Sequence, residues 1–215
     1  MPTDDVVQPS LQRLLQGVGK FRREVYPNQR EVYERAVRDG QHPHTLMLAC
    51  ADSRIDPILL TQSDPGEIFV ARNIGNIVPA YGEMLGGVSA VIEYAVLALD
   101  VQNVVICGHT DCGAMKGLLD RKTVSRMPTV KTWLRNAEAA LSIVQAKHPD
   151  LPAQAMIDEL VETNVVLQLN HLRSHPSVAG KLAVGTLDVH GWVYDIATGM
   201  VRAYDDVEKR FTEIE

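Results

Sequence analysis

Two cysteines and one histidine form the residue set with the clearest chemistry in this 215-residue sequence. Cys50 lies in Cys-Ala-Asp-Ser-Arg (50–54), and His109 and Cys112 lie in Gly-His-Thr-Asp-Cys-Gly (108–113). Two thiolates and one imidazole suit Zn²⁺ better than hard cations such as Mg²⁺. Because structural zinc sites usually close with four protein ligands, a set of three favours a catalytic ion with one position open.

Asp52 and Arg54 follow the first cysteine closely, and the residues leave two arrangements open. The Asp52 carboxylate could take the fourth position on the metal and so block it. Alternatively, Arg54 holds Asp52 in a bidentate pair, which leaves that position free for water that the carboxylate can orient. An ordinary surface Asp–Arg pair contributes under about 1 kcal/mol, but its place beside a ligand favours a role in the site.

The sequence predicts an α/β fold that brings these segments together. Three short, almost entirely apolar runs are typical of parallel strands that are covered on both faces: residues 46–50, 68–71 and 104–107. We expect a fourth strand at 182–189, which turns back through His190-Gly191 into an antiparallel edge strand at 192–196. The connections are long enough for crossover helices on both faces. The metal-ligating segments follow the first and third strands, so they should meet at the carboxyl ends of the sheet.

Helical periodicity predicts several helices around this sheet. Ser10 could cap the first of them, which would carry Leu11, Leu14 and Leu15 on one face. The others are a shorter helix at 31–37, a buried helix at 86–99, and two helices at 129–147 and 153–172. Because the leucine face has no obvious partner within the chain, we expect the N-terminal helices to pack on a second subunit.

Length and composition indicate one globular domain over residues 1–215, with an N-terminal helical arm at 1–40 and an α/β core at 41–215. A net charge of −6 argues against a nucleic-acid partner, because phosphate binding needs a basic face. No apolar run approaches the roughly 20 residues that cross a membrane. The acidic start predicts a cytoplasmic protein, although a chain with its targeting segment removed would look the same. Cys107, in a strand-like run, is expected to be a small buried residue.

The sequence resembles the β-class carbonic anhydrases in four blocks that occur in the order and approximate spacing of that family. They are Cys-Ala-Asp-Ser-Arg (50–54), Pro-Gly-Glu-Ile-Phe-Val-Ala-Arg-Asn (65–73), Ile-Glu-Tyr-Ala-Val (92–96) and Gly-His-Thr-Asp-Cys-Gly-Ala (108–114). The resemblance extends to residues 118–119 and 189–195. It covers most of the chain from about residue 28 onward.

This resemblance implies reversible hydration of carbon dioxide to bicarbonate and a proton. It implies one Zn²⁺ per subunit, bound by Cys50, His109 and Cys112, with hydroxide on zinc oriented by Asp52 and Arg54 as a catalytic pair. Asp52 would itself bind zinc only in a closed state. The family also implies self-association as a dimer or a larger assembly, because its pocket is shared across an interface.

Three further residues match substrate-binding positions of the family. Gln41 would donate a hydrogen bond to substrate, and Phe69 and Tyr94 would form aromatic walls of the pocket across the dimer interface. The residues alone indicate a core strand position for Phe69 and a buried helix position for Tyr94. Met47 stands where some bacterial members carry a tryptophan beside an inhibitory bicarbonate pocket. Met47 and Gln41 together make the chain resemble the plant-like, open-site subtype. In that subtype, water and not Asp52 is the fourth ligand at neutral pH.

Alternatives to this assignment stay open at the level of the sequence. Some members of the family hydrolyse CS₂ or COS with a nearly identical zinc site. A zinc-stabilised scaffold without catalysis would keep the fold, but the intact Asp52–Arg54 pair argues against it. For His42, His44 and Tyr81, exposed loop positions are favoured over a role in proton transfer.

Overall fold

The computed structural model describes residues 4–83 and 86–214 of the chain. The chain divides into two units, Met1–Gln41 with Asp64–Gly66 and His42–Ser63 with Glu67–Glu215. Long helices make up the first unit: α1 (Asp4–Lys20) and α2 (Tyr26–Asp39), joined by the π-helical stretch Phe21–Val25. The expected short helix at 31–37 is therefore part of a longer one.

The N-terminal helix begins earlier than the sequence indicates. A start at Ser10 is wrong, because α1 begins at Asp4 and runs through Pro9. Leu11 and Leu14 are 55% and 69% exposed, so the apolar face of this helix meets solvent.

A six-stranded sheet organises the second unit, in the order β2-β1-β3-β4-β5-β6. Its strands are β1 (Thr45–Cys50), β2 (Ile68–Asn73), β3 (Asn103–His109), β4 (Asp188–Tyr194), β5 (Val201–Asp205) and β6 (Arg210–Glu213). The first four are parallel to one another, and β5 and β6 join them as antiparallel strands. The predicted α/β fold, with a mostly parallel sheet and an antiparallel edge, is therefore confirmed.

Seven helices of the second unit lie in the described residues. They are α3 (Pro57–Thr61), α4 (Gly87–Glu93), α5 (Gly113–Leu119), α6 (Pro128–Trp133), α7 (Glu138–Lys147), α8 (Ala153–Arg173) and α9 (Pro176–Ala183). The expected helix at 129–147 forms as α6 and α7 with a 3₁₀ turn, Leu134–Ala137, between them. The expected helix at 153–172 forms as α8. No helix in residues 4–83 and 86–214 has the length and apolar character of a transmembrane span.

Successive residues of the central strands pack into two different clusters, as expected for side chains that alternate between the faces of a sheet. The larger cluster contains Leu48 and Ile106 together with Val165 of α8. The smaller contains Met47, Ala49, Val105 and Cys107, and Leu60 of α3 packs against it. Cys107 is fully buried, as predicted, and this burial raises the pKa of its thiol to about 12.

The prediction for the fourth strand was wrong in both its position and its turn. Residues 182 and 183 end helix α9, which begins at Pro176, where a proline has no amide hydrogen to lose. Gly191 does not form a turn, because it lies in the middle of β4. A Cβ there would lie 2.8 Å from a methyl of Val165 and 2.9 Å from one of Leu169, so glycine permits close packing of α8.

The expected buried helix at 86–99 is also only partly correct. Helix α4 continues as the π-helical segment Tyr94–Ala98. Ile92 is fully buried, but Leu97 is 60% exposed. An apolar surface all round a helix predicts burial only if every face finds a partner, and one face of this helix meets solvent in the single chain.

Candidate metal centre

The parallel sheet places the three proposed ligands at one edge. Cys50 is the last residue of β1, and His109 is the last residue of the neighbouring strand β3. Cys112 follows His109 through a turn in which Asp111 has a left-handed φ of 59°. One ligand atom from each of the three side chains lies within 4.8 Å of the other two. The structure thus brings together residues that are far apart in sequence.

His109 is oriented as a metal ligand. Its side chain is fully buried, and Nδ1 lies 2.8 Å from the carbonyl oxygen of Thr110. A carbonyl can only accept, so Nδ1 carries the hydrogen, and in the neutral imidazole Nε2 then presents a lone pair. Nε2 is buried and has no hydrogen-bond partner among the described residues. A buried polar atom without a partner is costly, and a cation beside the two sulfurs would satisfy it.

The two thiols influence each other strongly. The pKa of Cys50 is lowered, chiefly because the Cys112 thiol donates a hydrogen bond to its sulfur, with a smaller contribution from the Gly75 amide. The pKa of Cys112 is raised by the same interaction and by burial. Without a cation, the Cys50 thiol therefore ionises more readily than the Cys112 thiol. A divalent cation would let both sulfurs ionise, which is why thiolate sites bind metal and release protons together.

Asp52 and Arg54 form the bidentate pair that the sequence left as one of two arrangements. Arg54 donates from Nε to Oδ1 of Asp52 at 2.9 Å and from Nη2 to Oδ2 at 2.8 Å. The Arg54 backbone amide also donates to Oδ1, at 3.0 Å. These bonds hold the pKa of Asp52 well below its usual range, with the Arg54 side chain as the largest cause. Oδ2 of Asp52 lies 4.0 Å from Nε2 of His109, so the ionised carboxylate stands beside the ligand cluster.

Arg54 has a second acidic partner that the sequence analysis missed. Its Nη1 donates to Oδ2 of Asp111 at 2.9 Å, and Lys116 contacts the other oxygen of that carboxylate. Asp111 lies between His109 and Cys112 in the chain. The guanidinium therefore links the segment after β1 to the turn after β3. An acidic residue inside a His-x-x-Cys turn was the available signal.

Arg72 is a second residue that the sequence analysis did not single out. From β2 it donates to the carbonyl oxygens of Cys50 at 3.0 Å and of Asp52 at 2.6 Å. It therefore fixes the backbone that carries both the first proposed ligand and the acidic member of the pair. Its only sequence signal was its place in the block at 65–73.

The loop after β2 also reaches the metal centre. The Gly75 amide donates to Sγ of Cys50 at 3.4 Å. Gly75 has a φ of 77°, and a Cβ there would lie 2.8 Å from the Cβ of Ala114, so both conformation and space require glycine. Asn73 closes the loop by accepting from the Ile77 amide at 2.8 Å and donating to the Ile77 carbonyl at 2.9 Å.

The proposed substrate-binding residues and Met47 differ in how far they are exposed to solvent. The rings of Phe69 and Tyr94 are tilted against each other, with centroids 6.1 Å apart. Phe69 is half-buried, but the prediction from the residues alone of a buried Tyr94 is wrong, since it is 51% exposed. Gln41 is the last residue of the segment Met1–Gln41 of the first unit and is exposed. Met47 is 1% exposed.

The three side chains considered for proton transfer all lie in exposed positions outside helices and strands: His42, His44 and Tyr81. The Nδ1 atom of His44 lies 2.7 Å from Oγ1 of Thr45, and the Tyr81 ring packs edge-to-face on His175. All three side chains therefore lie in exposed loops, as predicted, and whether any of them transfers protons stays untested by these positions.

The sequence matches a protein-family model described as carbonic anhydrase over residues 45–201. It is 45% identical over 201 residues to the carbonic anhydrase of Pseudomonas aeruginosa, a match that covers 94% of this chain and 90% of the relative. It is 42% identical over 198 residues to the carbonic anhydrase of Synechocystis sp., covering 92% of this chain and 72% of that protein.

Solved structures give the same result. The structure of the β-carbonic anhydrase CcaA matches with a TM-score of 0.93 at 40% identity, covering 96% of this chain and 93% of that one. The Coccomyxa β-carbonic anhydrase, solved in complex with acetazolamide, matches with a TM-score of 0.78 at 33% identity, covering 90% and 85% of the two chains.

Proposed function

The chain belongs to the β-class carbonic anhydrase family, and from this premise we propose that it catalyses the reversible hydration of carbon dioxide to bicarbonate and a proton with one zinc ion per subunit. The observation that carries the zinc assignment is the convergence of Cys50, His109 and Cys112 within 4.8 Å, with a buried His109 Nε2 that has no hydrogen-bond partner in the part of the chain that the structure describes.

The donor set decides which metal fits this site. Two sulfurs and one imidazole nitrogen are soft or borderline ligands that select zinc over Mg²⁺ or Ca²⁺, which prefer oxygen. Three protein ligands leave one tetrahedral position, as in catalytic zinc sites. Zinc bound there would act as a Lewis acid and lower the pKa of a coordinated water towards about 7.

Asp52 orients the attacking oxygen in this proposal. A carboxylate that stays ionised can only accept hydrogen bonds, so it fixes the hydrogen of the nucleophile and turns a lone pair towards the carbon. Arg54 keeps Asp52 ionised and holds both of its oxygens, which supports an open site with Asp52 off the metal at neutral pH. In a closed state, Asp52 would become the fourth ligand.

We assign substrate binding to Gln41, Phe69 and Tyr94. The two neighbouring rings offer apolar surface, which suits the nonpolar carbon dioxide molecule. Gln41 would donate a hydrogen bond to the substrate oxygen on which charge grows, as oxyanion donors do. The exposure of Tyr94 supports a pocket wall that is completed by a second copy of the chain.

Self-association belongs to the same proposal. Leu11, Leu14 and Leu15 are 55–69% exposed on a single helix, which is a large apolar surface for a protein to leave in water. A β-carbonic anhydrase of Sordaria macrospora that is 27% identical to this chain is described as tetrameric. A dimer or larger assembly would bury this face.

Stopped-flow measurement of carbon dioxide hydration by the purified protein tests the function. We expect rapid turnover with close to one zinc per chain by elemental analysis, and loss of both after metal removal. A protein that carries no zinc, or that carries zinc and leaves the hydration rate unchanged, would refute the proposal. Running CS₂ as a second substrate distinguishes the related hydrolase activity.

A further inference from the structure

The peptide between Ile74 and Gly75 is hydrogen-bonded at both ends. Its carbonyl oxygen, on Ile74, accepts from the indole Nε1 of Trp133 at 2.8 Å. Its amide nitrogen, on Gly75, donates to Sγ of Cys50 at 3.4 Å. We propose that Trp133 is a positioning residue that sets the hydrogen bond to the Cys50 sulfur and so tunes the metal centre, an inference that rests on the proposed zinc site.

The geometry of a peptide makes the two bonds interdependent. The carbonyl and amide of one peptide lie in a rigid plane and point in opposite directions. Rotation of that plane would therefore lengthen the bond from Trp133 and the bond to Cys50 together. Donation to the carbonyl also polarises the peptide and strengthens its amide as a donor, because linked hydrogen bonds reinforce one another.

The neighbouring peptide is held by a different element. The Gly75 carbonyl, which belongs to the peptide between residues 75 and 76, accepts from Asn164 Nδ2 at 3.2 Å. Gln168 accepts from the Val78 amide at 2.9 Å and donates to Asn164 Oδ1 at 2.8 Å. Both of these α8 side chains are at most 1% exposed. The loop path is thus fixed from α8, and Trp133 separately fixes the peptide that faces the sulfur.

The effect on the metal follows from charge. A hydrogen bond to a thiolate withdraws electron density from sulfur, so the sulfur donates less to the ion and the ion keeps more positive charge. Groups that hydrogen-bond to metal ligands commonly change activity by 10-fold to 100-fold when removed. Trp133 acts through one intervening peptide, so we expect an effect of about tenfold at most.

The variant Trp133→Phe tests this directly, because it keeps an aromatic ring and removes the indole N–H. Cobalt substituted for zinc gives an optical reporter, since the sulfur-to-cobalt charge-transfer bands move to longer wavelength when the sulfur becomes richer in electrons. We expect that shift in cobalt-loaded Trp133→Phe, with turnover of the zinc form reduced by about tenfold at most. A spectrum that superimposes on that of the wild type would overturn the proposal.

The chain offers a matched control, because it has two tryptophans. Trp192 lies on β4 and packs against the smaller cluster with Met47 and Cys107. The Trp192→Phe protein should keep the wild-type cobalt bands. A shift of equal size in this variant would contradict a specific role for Trp133.

The Trp192→Phe background also allows a test that does not depend on the folding of Trp133→Phe. Biosynthetic replacement of the remaining tryptophan by a fluorotryptophan makes the N–H a stronger donor, and replacement by benzothienylalanine removes it in a ring of the same shape. The bands should move to shorter wavelength in the first case and to longer wavelength in the second. Movement in the same direction in both cases would refute the proposal.

This experiment is separable from the proposed function. If the wild-type protein takes up no cobalt or zinc, or does not hydrate carbon dioxide, the metal assignment itself fails. If the wild-type protein shows the charge-transfer bands and turnover but every change at position 133 leaves the bands in place, only the role of Trp133 fails.

Discussion

The metal centre and the aromatic pair Phe69–Tyr94 belong to the same unit, but they differ in how far a single chain buries and supports their side chains. The three proposed ligands are at most 5% exposed, and hydrogen bonds from β2 and the loop after it hold Cys50 and the backbone of Asp52. Tyr94 is 51% exposed. This difference predicts that a single chain can bind the proposed metal, whereas the proposed substrate wall needs a second copy of the chain to be complete.

Removal of a proposed zinc ligand should cause the largest loss of activity, because it disrupts the metal centre and leaves the aromatic pair unchanged. In Cys112→Ser, we expect loss of bound zinc and a fall of carbon dioxide hydration to the uncatalysed rate, because an alcohol is a poor zinc ligand at neutral pH. Elemental analysis and stopped-flow kinetics measure both. The control Cys107→Ser changes a buried cysteine outside the cluster and should keep its zinc. Full zinc retention in Cys112→Ser would contradict the ligand assignment.

The variant Asp52→Asn should separate orientation of the attacking oxygen from metal binding. The amide retains the shape of the carboxylate but pairs poorly with Arg54 and can present a donor to the nucleophile. We expect zinc content to be unchanged and turnover to fall by about 10²-fold, the size of effect that misorientation of a reacting group produces. Asp206→Asn, which breaks the pair with Arg173 at 2.8 Å, is the matched control and should be nearly silent. Wild-type turnover in Asp52→Asn would refute its catalytic role.

Charges on the exposed face of α1 should disrupt the proposed assembly while they leave the metal centre of each chain intact. The double change Leu14→Glu and Leu15→Glu would place two carboxylates where apolar burial is expected, and each buried leucine is worth about 1.5–3 kcal/mol. We expect a smaller assembly by light scattering, full zinc occupancy, and a loss of turnover smaller than that of Asp52→Asn. Val207→Glu, at a side chain that is 87% exposed, should leave the mass unchanged. An unchanged mass in the double variant would be the contrary result.

The smallest effect is expected at Asp111. Its pair with Arg54 joins two side chains that are 44% and 46% exposed, and such pairs contribute about 0.2–1 kcal/mol. Since Arg54 keeps both bonds to Asp52, Asp111→Asn should reduce turnover by about twofold to fivefold without loss of zinc. Steady-state kinetics would measure this change. A loss as large as that of Asp52→Asn would mean that Asp111 itself takes part in the reaction.

The sequence predicted the parts of this site that depend on local pattern. Apolar runs marked β1 and β3, and the residues that directly follow or end such runs meet at one sheet edge because parallel strands share their direction. Cys50, His109 and Cys112 could therefore be grouped before the fold was known. The bidentate pair of Asp52 and Arg54 needed the structure, because the residues allowed the carboxylate to face either the metal or the guanidinium.

The parts that could not be predicted depend on partners distant in sequence. Residues 182–189 are apolar enough for a strand or a helix. Pro176 favours the start of a helix, and that helix continues to Ala183. Gly191 looked like a turn residue because its requirement for close packing with α8 is invisible in the sequence. Nothing in the sequence indicates that the indole of Trp133 and the side-chain amides of Asn164 and Gln168 hold the loop at 73–78. That loop lies far from all three residues along the chain.

Helix α8 holds two parts of the centre at once. A Cβ on Gly108 would approach a methyl of Val165 within 2.7 Å and one on Gly191 within 2.8 Å, so Val165 packs closely on the sheet face at both β3 and β4. One residue earlier, Asn164 fixes the loop that faces Cys50. Melting of this helix would free the strand that carries the imidazole and the loop that contacts the thiolate in the same step. Heat denaturation and loss of the proposed zinc ion should thus be one cooperative event, with chelators lowering the midpoint of that single transition.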